Sequence, residues 1–208
     1  MTNRLVVLAS GGGTNLQAIL DACQASVIDA RVEAVVSDNP DAFAIRRAAD
    51  AGIAVVTVPV DGRSRGIYDG VLAHVVGEYE PTLVVLAGWM RLLSKPFLSR
   101  FRVVNIHPAL PGQFPGLHAI ERAFTAFEAG EIDQSGVMVH WVPDEGVEDG
   151  PVIVQRPVPM SVDDTLAAFE SRMHQVEHEL IVEAVNDALA AIDSGTENRT
   201  PSRERGVV

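Results

Sequence analysis

One cysteine, Cys23, is all the sequence contains, so no intramolecular disulfide framework can brace it, and a reducing compartment suits it. Positive charge is scarce as well: 16 Lys and Arg stand against 28 Asp and Glu, a formal net charge of −12. That balance excludes a protein that coats nucleic acid or an anionic membrane, while leaving room for a local basic pocket. No apolar run reaches the length of a membrane span. The N-terminal LVVLAS stretch breaks into glycines after Ser10, too soon for a secretory leader. Internal repeats are absent, and no Pro-, Gly- or Ser-rich linker divides the 208 residues into independent units.

What is there points to one sizeable core. With 47% apolar and 21% charged residues the chain has the composition of a globular, acidic domain, expected in the cytoplasm. Short β-branched runs alternate with helix-length segments. LVVLAS, VEAVVS, AVVTVPV, TLVVLAG and RVVNIH read as strands. Helical stretches follow the first three, near 14–25, 41–52 and 67–79, a short turn-rich segment follows the fourth, and LHAIERAFTAFEAG is helix-like after the fifth. Continuous apolar strands between helices predict a three-layer α/β, Rossmann-like fold with a mostly parallel, twisted sheet. After residue 133 the pattern changes. SGVMVHWV and PVIVQRPVP read as an antiparallel or mixed edge, and a long helix, open to interruption, is expected to start near Ser161 with its acidic first turn. One domain over 1–192 and a polar, disordered tail over 193–208 complete the expectation.

Four motifs carry chemistry. SGGGTN, entering the first helix, offers unobstructed backbone N–H groups and a positive dipole end to an anion. It is no Walker loop, since Gly-Lys-Ser/Thr does not follow, and the third glycine of a dinucleotide fingerprint is replaced by Leu16. An ordinary strand-to-helix turn would not need three glycines in a row. NIHP places Asn105 and His107 at the end of a parallel strand, where ligands bind such sheets, with prolines fixing the backbone beyond. The amide can donate to developing negative charge and the imidazole can pass a proton near neutral pH. VPDEGVEDG holds four carboxylates, Asp144, Glu145, Glu148 and Asp149, one of which could orient the imidazole. By itself such a run is more often a solvated turn. HQVEH at 174–178 matches an inverted zincin pattern, but a zinc site needs a third protein ligand. We read the spacing as a helix face, with Glu177 able to point at a bound amine, and expect no metal.

Taken together, SGGGTNLQAI, AGWMRLLS, NIHPAL with FPGLHAIERA, and GVMVHWV with GVEDGPVIVQRPVPM resemble the formyl-transfer enzymes that use 10-formyltetrahydrofolate. The resemblance runs from about residue 4 to about 190. It is strongest to the single-domain branch acting on phosphoribosylglycinamide (glycinamide ribonucleotide) in purine synthesis. It implies that Gly12, Gly13, Thr14 and Asn15 hold the substrate phosphate and that Glu177 lies near the substrate amine. Arg65, Met90, Arg91, Leu92, Leu93, Val142 and Asp144 would contact the folate. Asn105 and His107 would form the catalytic pair, with Glu148 or Asp149 as the tuning carboxylate. Two departures from the family pattern stand out. The acidic loop carries one extra residue, around Pro143, with Glu148 where Asp is usual. ALPGQFPG shifts Pro111 and Gly112 by one position.

Other readings separate on simple features. A tRNA formyltransferase needs a basic surface and an added C-terminal domain, and a formyltetrahydrofolate deformylase normally carries an N-terminal regulatory domain. Neither is expected, with the first strand starting near residue 4 and the last helix ending near 195. A non-catalytic nucleotide-binding module would use Asp38 as its ribose acid, against which the missing glycine counts. Small-molecule substrates are expected, with no nucleic acid and no membrane as partner; a homodimer is compatible with the same reading.

Overall fold

The computed structural model describes residues 2–146 and 148–196. Seven strands form one sheet: β1 (Asn3–Leu8), β2 (Ala30–Ser37), β3 (Ala54–Thr57), β4 (Leu83–Leu86), β5 (Val103–His107), β6 (Gln134–Trp141) and β7 (Val152–Pro159). Their order is β3-β2-β1-β4-β5-β6-β7. The first five are parallel, and β6 runs antiparallel to both β5 and β7. The α/β class, the parallel body and the antiparallel edge all match the sequence expectation. Alternation within β1 shows why its run is wholly apolar. Leu5 and Val7 join the core on one face of the sheet, while Val6 and Leu8 join the core on the other.

The first core lies under α1 (Thr14–Gln24), α2 (Phe43–Asp50), α5 (Ala119–Glu128) and α6 (Leu166–Asp193); the second lies under α3 (Arg65–Gly77) and α4 (Lys95–Leu98). Helix α6 is continuous over 28 residues. Phe169, Met173, Leu180, Ile181, Ala184 and Val185 form its buried stripe, at helical spacing. Its start differs from expectation. Ser161 does not cap it; the Ser161 N–H instead donates to Asp164 Oδ2 at 2.8 Å, closing a separate turn, and the Thr165 hydroxyl accepts from Ala168 N–H at 3.2 Å as the true cap. The turn-rich segment after β4 contains the one-turn α4, with Pro96 in its first turn, where a missing N–H costs nothing. Strand β3 stops at Thr57, short of Val60, and Pro59 lies just beyond it. From residue 197 the expected tail lies outside the described residues; before that, α6 reaches Asp193. Among the described residues no helix is long and apolar enough to cross a membrane.

This topology positions a site. From β1 the chain winds outward through β2 to β3, then crosses back past β1 to β4 and on to β5, so the winding reverses between the neighbours β1 and β4 and the loops leaving them part to open a crevice at their carboxyl ends. Strand β5 ends beside that crevice.

Candidate active site

A cleft of about 660 Å³ occupies the crevice. Its walls include the glycine loop after β1, the 86–93 segment after β4, the end of β5, the 116–120 turn, the acidic loop after β6, and His174 and Glu177 of α6.

Asn105 and His107 are two residues apart on β5 and therefore share a face, with Ile106 turned the other way. Opposite Asn105 in the antiparallel register stands His140 of β6, which was not singled out from the sequence. The His140 Nδ1 lies 2.8 Å from the Trp141 carbonyl, which can only accept, so Nδ1 carries the proton. Nε2 then accepts from Asn105 Nδ2 at 3.2 Å. That bond fixes which way the amide points and leaves its second hydrogen for a ligand. Burial pulls the His140 pKa below the ordinary imidazole value, partly offset by the Trp141 carbonyl, which favours this neutral acceptor form. A histidine in an otherwise apolar strand was the available signal.

His107 is buried and held at both nitrogens. Glu148 Oε1 lies 3.2 Å from Nδ1, and Nε2 donates to the Phe114 carbonyl at 3.1 Å. Burial lowers the pKa of this ring, while the Glu148 carboxylate and the Phe114 carbonyl pull it back up. Glu148 is anchored in turn: its Oε2 accepts from Gly116 N–H at 2.9 Å. Of the two carboxylates left open by the sequence, Glu148 faces His107. Asp149 lies against Gly146, where an added Cβ would collide with its carboxylate. The shifted prolines of ALPGQFPG accompany a loop with positive φ at Gly112, Phe114 and Gly116, which turns the Phe114 carbonyl onto the imidazole.

The glycine loop after β1 lines the same cleft. Gly13 caps α1 with φ of 68°, and no side chain caps the helix. Asn15 is buried. Its Nδ2 donates to Glu177 Oε1 at 3.4 Å, and its Oδ1 has no partner. Glu177 occupies a position in the apolar stripe of α6 and is 5% exposed. Its second oxygen lies 2.6 Å from His174 Nδ1, and that bond raises the His174 pKa. His174 thus faces the cleft while His178 does not line it, so the HQVEH spacing does not converge on one point.

The remaining wall carries the residues expected to contact folate. Met90, Arg91, Leu92, Leu93, Val142 and Asp144 line the cleft, with Met90 and Leu92 more than half exposed. The Met90 N–H donates to Ser10 Oγ at 3.1 Å, tying this segment to the end of β1. Arg91 is paired with Asp38 at 2.6 Å, which occupies the candidate ribose acid. Arg65 stands behind the wall: its Nη2 donates to the Leu93 carbonyl at 2.6 Å and pairs with Glu145 at 3.2 Å. Asp69 accepts from Ser94 N–H at 2.7 Å, so both ends of the Leu93–Ser94 peptide are held by α3.

Comparison with known proteins gives a consistent result. The family described as formyl transferase matches residues 3–185. A phosphoribosylglycinamide formyltransferase from Schizosaccharomyces pombe is 42% identical over 206 residues, covering 91% of this chain and 98% of the relative. One from Escherichia coli is 44% identical over 177 residues, covering 84% and 81%. Among solved structures, glycinamide ribonucleotide transformylase 1 from Symbiobacterium toebii superposes with a TM-score of 0.83 at 41% identity, covering 89% of this chain and 86% of that one. Phosphoribosylglycinamide formyltransferase from Bacillus halodurans gives 0.85 at 34% identity, covering 90% and 96%.

Proposed function

Because the chain belongs to the formyl transferase family, we propose that it moves the formyl group of 10-formyltetrahydrofolate onto the amine of phosphoribosylglycinamide. The observation that carries the reading is one cleft lined both by an oriented amide with a carboxylate-paired imidazole and by a glycine-rich helix terminus. An anionic, amine-bearing substrate can lie along it. Its phosphate meets the N–H groups of Gly12 to Asn15, and its amine lies toward Glu177 and the unpartnered Asn15 Oδ1. The folate ring occupies the wall from Met90 to Leu93, with Val142 and Asp144, and the formyl group reaches Asn105 and His107.

The amine nitrogen attacks the formyl carbon and the carbonyl becomes an oxyanion. The second Asn105 hydrogen donates to it. His107 Nε2–H exchanges the neutral Phe114 carbonyl for the oxyanion, a stronger charge-assisted partner. That carbonyl stays satisfied, because Arg122 Nη2 already donates to it at 2.7 Å. Collapse of the intermediate breaks the bond between the formyl carbon and the folate nitrogen. The proton shed by the attacking amine passes to that nitrogen through His107. His107 gives its Nε2 proton to that nitrogen and takes one from the amine, and Glu148 stabilises the ring whenever it is protonated.

The test is turnover of 10-formyltetrahydrofolate with phosphoribosylglycinamide by the purified protein and by His107→Ala, Glu148→Gln and Asp149→Asn. Amine-dependent transfer that collapses in the first, falls in the second and persists in the third supports the assignment. Absence of transfer by the unaltered protein overturns it.

A further inference from the structure

Helix α2 does not line the cleft, yet it holds the glycine loop from behind. The Gly11 carbonyl accepts from Ala44 N–H at 3.0 Å, and the Gly12 carbonyl accepts from Arg47 Nε at 2.8 Å. A trans peptide points its C=O and the following N–H in opposite directions. Turning these two carbonyls toward α2 therefore turns the N–H groups of Gly12 and Gly13 away from it, toward the cleft that both residues line. Of the two anchors, the one at Ala44 is backbone; the one at Gly12 depends on a side chain. Arg47 is half-buried and itself constrained, with Nη1 on Gln17 Oε1 at 3.2 Å and its guanidinium 5.0 Å from the Phe43 ring centroid.

We infer that Arg47 is a positioning residue for phosphate recognition: it fixes the Gly12–Gly13 peptide with its N–H toward the anion and adds a positive charge behind the loop. The inference rests on the proposed phosphate site. A ligand in this part of the cleft is independently indicated by Asn15, 8% exposed, whose Oδ1 has no partner. Arg47 acts through the loop rather than by touching substrate. Without it the peptide can flip and present a carbonyl, which repels an anion.

The experiment compares the unaltered enzyme with Arg47→Met and Arg47→Lys. Its readouts are KM for phosphoribosylglycinamide, KM for its dephosphorylated counterpart, KM for 10-formyltetrahydrofolate, kcat, and inhibition by inorganic phosphate. Arg47→Met is expected to raise KM for the phosphorylated amine about tenfold, the usual cost of losing a charged hydrogen-bond partner. Phosphate inhibition should weaken in parallel, while KM for the dephosphorylated amine and for the folate stays within about twofold and kcat is little changed. Arg47→Lys, which retains charge and one donor, should recover part of the loss. Equal loss with both amines, or no loss with either, overturns the role of Arg47. An unaltered enzyme that neither prefers the phosphorylated amine nor responds to phosphate overturns the phosphate site itself.

Discussion

Replacing Glu148 by Gln tests the electrostatic centre of the site with little change in shape. The carboxylate lies 3.2 Å from His107 Nδ1, and the two side chains are 14% and 4% exposed, so solvent screens them weakly. Two unit charges about 4 Å apart at an effective dielectric near 20 attract by about 4 kcal/mol, an upper bound. A hydrogen bond to a charged group typically contributes about 1.5–3 kcal/mol. The substitution should therefore lower the His107 pKa, and at about 1.4 kcal/mol per factor of ten that loss cuts the protonated fraction about ten- to a hundredfold. The direction follows from the balance at the ring: burial already depresses its pKa, and Glu148 opposes that effect. With the protonated ring as the proposed donor to the oxyanion, transfer should decline as pH rises through this pKa. In Glu148→Gln that decline begins at lower pH, and kcat near neutral pH falls about ten- to a hundredfold. The assay is kcat/KM against pH, paired with NMR titration of the His107 ring. An unmoved or upward-shifted profile, or the same shift in Asp149→Asn, would refute the reasoning.

Three further outcomes are expected. His140→Phe should lower kcat about ten- to a hundredfold while leaving KM for the amine near its original value, because Asn105 loses the bond that aims its amide. Steady-state kinetics checks the split. Gly13→Ala should cost about 1–2 kcal/mol of stability from its positive φ alone. It should also raise KM for the phosphorylated amine, since the new Cβ would lie 2.8 Å from Ala44; thermal melts and kinetics read the two effects. His107, His140 and His178 have pKa values lowered chiefly by burial, so their contribution to stability is complete above the ordinary imidazole value and is lost as pH falls. His174 acts the other way: raised by its bond to Glu177, it contributes fully below that value and loses its contribution as pH rises. Urea melts between about pH 6.5 and 5 should show the three-histidine loss dominating, and His140→Phe should flatten it.

Much of this was legible in the chain because it is written in local patterns. Five apolar runs separated by helical segments implied the parallel sheet, and Asn105 and His107 at the end of one run implied chemistry at a strand terminus. Glu177 was legible too, within HQVEH, and the structure shows it as a carboxylate where the α6 stripe calls for an apolar side chain. What the sequence left open depends on tertiary placement. Whether Glu148 or Asp149 meets the imidazole is decided by a backbone turn with φ of 54° at Glu148 and by the Gly116 N–H that receives its other oxygen, 32 positions away. His140 matters only through the antiparallel register that sets it across from Asn105. The last helix starts after Thr165 rather than near Ser161 because Ser and Asp close an isolated turn as readily as they cap a helix. Thr165, four residues later, carried the same signal less visibly.

The bond between Asn15 and Glu177 joins positions 162 apart. During synthesis the glycine loop is made well before its facing carboxylate. At about 5–20 residues per second, roughly ten to thirty seconds separate them. Strands β1, β2 and β4 can pair in that interval, but the first core stays uncovered until α6 docks over Leu16 and Ile19. A nascent chain can therefore hold much of the sheet and still lack one wall of the cleft. The wall that carries His174 and Glu177 is completed only as the first core closes, so the cleft and the core are finished by one docking event.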